Sequence, residues 1–327
     1  MNLRSPYAAD DLSTVTALPV VDECTDRFTR HVATFSEGRC LVLFDPSVRD
    51  AFDDQHDGSL LRKCARTAIP VRHTRFPRSH FPYLLELDLA SAPDRQILHT
   101  SVRMAWQDRS PAVIGRGQGH RVAGWLTTRE PTSIIVKALA DHTIQWINGT
   151  RVPFRFYDAR GLAWLWPLLR PSQQRALLGP VTSWSLFDAA HEWRELRPPT
   201  DAPSDPRLEL DEAQQRAVPL IGVVSRALAR HQHDRGEHVE ADQLPLAWTA
   251  AERASRYGLS DPDDMAAMVL HALQWHPLFD THPEIQKRLN LRADNQFYRA
   301  VVSDLEPSDF QRIQDELLTR STVPGGH

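Results

Sequence analysis

Short apolar runs in the first part of the chain are typical of buried β-strands. Leu41–Phe44 is a continuous apolar run that ends in an Asp-Pro turn. Pro82–Leu89, with the sequence PYLLELDL, and Gly124–Thr128, with the sequence GWLTT, each predict a further strand. Residues 1–20 lack such a pattern, and we expect them to form a loosely structured lead-in.

The centre of the chain changes between helical and strand patterns. Apolar residues on one side of Ser133–His142 predict a helix. In Val152–Asp158, the residues Val152, Phe154 and Phe156 alternate with Pro153, Arg155 and Tyr157. This predicts a half-buried strand, because successive strand residues point to opposite faces. Ala159–Leu169 carries leucines at helical spacing, with Pro167 as a kink or an end. Residues 171–178 predict one more helix.

The second part of the chain is separated from the first by a proline-rich stretch, RPPTDAPSDPR, with almost nothing to bury. After it the patterns are helical: Leu210–Ala229 with a break at Pro219, Leu244–Tyr257, Pro262–Gln274 capped by Asp261, Pro283–Leu289, and Pro307–Arg320 capped by Ser308. We therefore predict an α/β (α+β) N-terminal domain with a mixed sheet over residues 21–196. A linker over 197–208 and a smaller all-helical C-terminal domain over 209–320 follow.

Composition narrows the class of protein. The 327 residues carry a net charge of -4, which gives no long-range attraction to nucleic acid or anionic lipid. Cys24, Cys40 and Cys64 are the only cysteines and are not spaced like a zinc knuckle. No apolar run approaches ~20 residues, and the N-terminus lacks the apolar core of a secretory signal. We expect a cytoplasmic protein with no membrane or nucleic-acid partner.

Two polar segments leave alternatives open. His231, His233 and His238 lie near two acidic residues and could hold a metal, although the same segment reads as a hydrophilic break between helices. A small-molecule hydrolase or metal-dependent enzyme built on these histidines is therefore the alternative function. A basic segment could form either a positive face for an anionic partner or an ordinary solvated face. Its residues are Arg62, Lys63, Arg66, Arg72, Arg75 and Arg78.

The segment from residue 154 to 181 carries a family resemblance. Its sequence is FRFYDARGLAWLWPLLRPSQQRALLGPV. It resembles the adaptor, or effector-chaperone, domain family of bacterial type VI secretion systems, in which a strand with an aromatic-Arg-aromatic-Tyr-Asp-Pro-Arg pattern precedes a helix. Ala159 stands where the family has a proline. LVLFDPS, PYLLELD and GWLTT resemble further segments of the family in the right order, so that the resemblance covers about residues 39–190.

The resemblance implies a non-catalytic cytoplasmic adaptor without cofactor or metal. Such a protein binds a toxic effector and helps to load it onto the spike protein of the secretion system. Exposed aromatic and arginine side chains are enriched at binding hot spots, whereas core packing is the alternative role for the tryptophans. The candidate partner-binding residues are Arg155, Tyr157, Arg160, Trp164, Trp166 and Trp184. The candidate structural-turn residues are Asp158, which we expect to pair with an arginine, and Gly179 and Pro180, which end a helix.

Overall fold

The computed structural model describes residues 10–35, 38–55, 57–147, 149–201, 203, 205, 207–294 and 296–322, with the backbone alone for 10–18 and 321–322. Contacts between residues divide the chain into two compact units, Met1–Gln215 and Arg216–His327. We refer to them as the N-terminal unit and the C-terminal unit.

The N-terminal unit contains a six-stranded sheet and a separate two-stranded hairpin. The strands are β1 (Arg39–Phe44), β2 (Arg66–Ala68), β3 (Tyr83–Leu87), β4 (Val122–Thr128), β5 (Ile144–Ile147), β6 (Thr150–Pro153), β7 (Val181–Phe187) and β8 (Trp193–Leu196). The helices are α1 (Asp10–Ala33), α2 (Gly58–Leu61), α3 (Ala92–Gln107), α4 (Pro111–Gly115), α5 (Thr132–His142), α6 (Ala159–Leu165) and α7 (Pro171–Leu178).

The six-stranded sheet has the order β2-β3-β1-β4-β7-β8, and each of its pairings is antiparallel. β1 therefore lies inside the sheet, with Val42 opposite Leu85 on one side and Trp125 on the other. Every residue of β1 after Arg39 is buried. This central position explains why the β1 sequence is a continuous apolar run and does not alternate.

Helices cover both faces of the sheet. One apolar core contains Phe28 of α1, Val102 of α3, and Val42 and Trp125 of the sheet. α5, α6 and α7 also contact the strands, and none of their buried residues belongs to that core. They pack on the opposite face, where Phe156 and Trp184 make an edge-to-face ring contact. Because both faces of the sheet are covered, most of its side chains are buried, and this explains why its strands are rich in apolar residues.

The predicted fold class is confirmed, and the strands predicted near residues 41, 83 and 124 are β1, β3 and β4. Three expectations need correction. The sheet is antiparallel throughout the described strands and not mixed. Residues 10–20 belong to α1, whereas residues 1–9 of the predicted lead-in lie outside the described part. The strand predicted over Val152–Asp158 ends at Pro153, and the residues after it form a turn.

The C-terminal unit is helical in its described part. Its helices are α8 (Glu212–Arg235, which begins before the unit boundary), α9 (Gln243–Arg256), α10 (Pro262–Gln274), α11 (Pro283–Asn290), α12 (Tyr298–Val301) and α13 (Pro307–Thr322). Asp261 caps α10 by accepting from the Asp264 N–H at 2.8 Å, as predicted. Pro219 lies inside α8 without breaking it. Ser308 lies inside α13, which begins at Pro307, and therefore does not cap it; the Asp309 carboxylate accepts from the Glu306 N–H.

The stretch predicted as a linker lies against the N-terminal unit where it is described. Leu208 is 3% exposed, and its carbonyl accepts from the Gln145 side chain at 2.9 Å. Arg175 donates to the carbonyls of Pro199 and Thr200 within the stretch. Polar side chains therefore hold this proline-rich stretch, although its composition is that of a free linker.

Candidate functional site

The segment that carries the family resemblance forms a compact turn between β6 and α6. Pro153 ends the strand, and Phe154, Phe156 and Tyr157 that follow are all buried. Asp158 then begins α6, because its carboxylate accepts from the backbone N–H of Arg160 at 3.1 Å. The aromatic side chains therefore anchor the turn in the core while the acid fixes the start of the helix.

Charged side chains join this turn to the end of β1. Arg155 donates a hydrogen bond to Asp45, which is only 3% exposed and lies directly after β1. Arg155 also lies 3.9 Å from Asp158, and Arg160 pairs with the same carboxylate at 2.8 Å. We call these residues, Asp45, Arg155, Asp158 and Arg160, the turn network. Two segments that carry the resemblance, LVLFDPS and FRFYDAR, therefore meet in an ion-paired cluster.

The pKa values of the turn network follow from its geometry. Burial alone would raise the pKa of Asp158, but the charges and hydrogen bonds of Arg160 and the charge of Arg155 outweigh burial and lower it. The pKa of Arg155 is raised, since its neighbours Asp45 and Asp158 outweigh the effect of burial. Burial raises the pKa of the Tyr157 hydroxyl. Asp158 and both arginines are therefore charged at neutral pH and already paired.

A second buried network stabilises the same end of the sheet. Asp108 has a fully buried side chain and accepts from Arg121 and Arg49, each at 2.7 Å. Arg121 also donates to Asp54 at 2.6 Å. Nearby, burial lowers the pKa of His120 far below its ordinary value, and the positive charges of Arg109 and Arg160 add to this effect. His120 is therefore neutral at pH 7.

The aromatic candidates divide into two groups. Tyr157 and Trp184 are 1% and 0% exposed, and the Trp184 indole donates to the Ala123 carbonyl at 3.2 Å. This burial contradicts their expected role as exposed contacts, because neither offers surface to a partner. Trp164 and Trp166 are both half-buried. Only these two of the predicted tryptophans present any surface.

Gly179 and Pro180 end α7. Gly179 has φ of +54°, a backbone conformation that favours glycine, and its N–H donates to the Arg175 carbonyl at 2.8 Å. The Pro180 carbonyl accepts from the Thr128 hydroxyl at 2.9 Å. This contact ties the end of α7 to β4, so that both residues shape the fold and do not offer chemistry.

A groove of about 660 Å³ opens beside the hairpin of β5 and β6. Trp146 on β5 is 60% exposed and lies directly opposite Arg151 on β6. Arg207 lines the facing wall. Within the described part of the chain, Arg151 and Arg207 form no ion pair, whereas Arg72 at the rim pairs with Asp141 at 2.9 Å. The groove thus combines an exposed indole with two unpaired guanidinium groups.

The sequence contains a signal for this hairpin that our prediction did not use. IQWINGTRV has an Asn-Gly dipeptide between two short strand-like segments, which is a strong hairpin signal. Gly149 has φ of +72°, as such a turn requires. The facing wall comes from residues 207–215, which no local pattern could assign to the hairpin.

Two histidines of the alternative function, His231 and His238, line one small pocket of the C-terminal unit. His231 lies on α8, is 3% exposed, and its Nε2 is 3.2 Å from the Gln243 side-chain nitrogen. His233 is also on α8 and exposed, and His238 follows the helix in an exposed position. The segment containing the first two is therefore helix and not the expected break. Among the residues that the structure describes, no three His, Cys, Asp or Glu side chains are placed to hold a metal ion.

The basic segment is partly used within the fold. Arg66 pairs with Asp50 at 3.1 Å, and Arg62 donates to the Phe52 carbonyl. A continuous positive face would need these side chains free. The side chains of Lys63, Arg75 and Arg78 are exposed and form neither an ion pair nor a hydrogen bond with any described residue.

Comparisons with known proteins assign the chain to no family. No protein-family model matches the chain, and no curated protein or solved structure matches it. None of the described helices combines the length and apolar character needed to cross a membrane.

Proposed function

We propose that this chain is a cytoplasmic, non-catalytic adaptor that binds a toxic effector of a type VI secretion system and brings it to the spike protein. The observation that carries the proposal is the groove beside β5, with the exposed Trp146 and the unpaired Arg151 and Arg207. Tryptophan and arginine are the residues most enriched at the energetic centres of protein interfaces.

Two further features support binding as the activity. The charged groups of the turn network are paired with one another, and their geometry fixes a turn and the start of a helix. They form a scaffold that joins the two segments resembling the adaptor family. The lining of the groove joins polar with apolar side chains, as protein interfaces do.

The test is a pull-down of the tagged, full-length chain from its own cell, with quantitative mass spectrometry of the bound proteins. We expect the wild-type chain to recover a toxin together with a spike protein. A strain that lacks the chain should fail to deliver that toxin to competitor cells and should still deliver other effectors. The proposal is wrong if the toxin is delivered equally well without the chain.

A matched pair of variants locates the contact. Trp146→Ala should reduce recovery of the toxin by about tenfold or more, which is the effect of losing an interface tryptophan. Val48→Ala is the control, because Val48 is equally exposed, at 57%, and lies outside the groove lining. Both variants should keep the wild-type melting temperature, since each truncates an exposed side chain. Equal recovery with the two variants would show that the groove is not the binding surface.

A further inference from the structure

The outer edge of β5 carries unused backbone hydrogen-bonding groups. The Phe154 N–H donates to the Thr143 carbonyl at 2.8 Å, which makes these residues a hydrogen-bonded pair of the antiparallel hairpin. Such pairs alternate with non-bonded pairs along a ladder. The backbone groups of Gln145 and Ile147 therefore bond to β6. The backbone groups of Ile144 and Trp146, which alternate with them, face away from β6.

No described residue accepts from or donates to the backbone of Ile144 or Trp146. An unpaired strand edge is a template for another strand, since its N–H and C=O groups gain hydrogen bonds when an extended segment lies beside it. The hairpin has just two strands, and a two-stranded sheet is marginal by itself. A third strand would give this small sheet the partner that its edge lacks.

Three consecutive residues of β5, Ile144, Gln145 and Trp146, line the groove, and Leu208 and Glu209 line it from another segment. The hydrogen bond from Gln145 to the Leu208 carbonyl holds the two walls at a fixed separation. An extended segment that enters the groove would therefore lie beside these residues of β5.

The charges of the groove select the chemistry of that segment. Arg151 and Arg207 are exposed and unpaired, so that their guanidinium groups can each receive a carboxylate in a two-point hydrogen bond. Glu209 supplies one opposing charge at the same wall. Among the unpaired charged side chains of the groove, positive charges outnumber negative ones, which favours an occupant with more acidic than basic side chains.

We propose that an acidic, extended segment of the effector adds to β5 as a third antiparallel or parallel strand, with its carboxylates on Arg151 and Arg207. This inference rests on the proposed function, since it names the form and charge of the segment that the adaptor binds. Main-chain hydrogen bonds supply the attachment, and Trp146 and the two arginines supply selectivity.

The decisive measurement is residue-resolved amide hydrogen exchange on the full chain, alone and with the toxin recovered in the pull-down. We expect the amides of Ile144 and Trp146 to exchange about tenfold or more slowly in the complex. The amides of Gln145 and Ile147 are internal controls, because they already bond within the hairpin and should change little. If the toxin binds and the Ile144 and Trp146 amides do not slow, strand addition is wrong while the adaptor function stands. If no toxin binds the wild-type chain, both proposals fail.

Charge reversal tests the acidic character of the segment. Arg151→Glu should weaken binding of the toxin by about tenfold, whereas Arg78→Glu, an exposed and unpaired arginine outside the groove, should not. Short synthetic peptides that tile the toxin should bind only where acidic residues predominate. Equal binding by the two variants would overturn the carboxylate contacts. Protection of Ile144 and Trp146 that rises with the concentration of the chain alone would identify a second copy as the occupant and overturn the proposal.

Discussion

Removing one charge of the turn network should destabilise the N-terminal unit by a predictable amount. Asp45→Asn keeps the shape of the side chain and removes its charge, so that Arg155 retains only Asp158, at 3.9 Å. Breaking a buried ion pair costs about 3–5 kcal/mol, and breaking an exposed one costs about 0–1 kcal/mol. Because Asp45 is 3% exposed and Arg155 is 38% exposed, we expect a loss of about 2–3 kcal/mol in the free energy of unfolding.

The assay is urea unfolding of the full chain, followed by tryptophan fluorescence, with the transition of each unit fitted separately because two units need not unfold together. Asp141→Asn is the matched control, since it makes the same substitution in the pair with Arg72, where both side chains are exposed. We expect the control to cost no more than about 0.5 kcal/mol.

The double variant Asp45→Asn, Arg155→Met separates the pair from its surroundings. If the cost arises from an uncompensated buried charge, the double variant should be more stable than Asp45→Asn alone. Equal losses for Asp45→Asn and Asp141→Asn would refute the reasoning, because burial would then make no difference to the cost of losing the carboxylate.

Two further predictions concern single positions in each unit. Gly124 has φ of +142°, and a Cβ there would collide with the Ser185 carbonyl and the Trp184 indole, so that Gly124→Ala should cost about 3 kcal/mol or more in urea unfolding. A wild-type midpoint would contradict this. Burial, with a contribution from the charge of Arg230, lowers the pKa of His271 to about 4 in the folded state, so protonation favours unfolding and stability falls as pH drops below about 6.5. Between pH 7 and pH 5 the C-terminal unit should lose about 2 kcal/mol from this group, and His271→Gln should remove that part of the pH dependence; an unchanged dependence would show that His271 is not the cause.

The sequence predicts correctly the strands in which neighbouring residues are apolar and buried. β1 lies inside the sheet, and its buried run is continuous after Arg39. The strand expected over Val152–Asp158 was wrong beyond Pro153. Phe156 and Tyr157 are adjacent and both buried, which the predicted half-buried strand does not allow. In this turn the aromatic side chains are buried because they pack into the core, and strand geometry does not determine their burial.

The helix α1 and the candidate site show what a local pattern does not contain. Among the residues of α1 whose side chains the structure describes, Val21, Cys24, Phe28 and Val32 are buried, and the start of the chain gave no periodic signal. The groove joins the hairpin to residues 207–215, and the pairing of these segments depends on the tertiary fold. Trp184 illustrates the same limit, because a strand buried on both faces gives no sign of which tryptophan reaches the surface.

The ion pair between Asp45 and Arg155 has a consequence for biosynthesis. The two residues are 110 positions apart, and ribosomes add about 5–20 residues per second, so the nascent chain contains Asp45 without its partner for about 5 to 20 seconds. By the end of that interval β1 to β6 have been made, but β7 and β8, which complete the sheet beside β4, have not. The emerging chain therefore holds an unneutralised carboxylate at the end of an incomplete sheet, and a pause in translation before residue 155 would prolong the period in which chaperones can bind it.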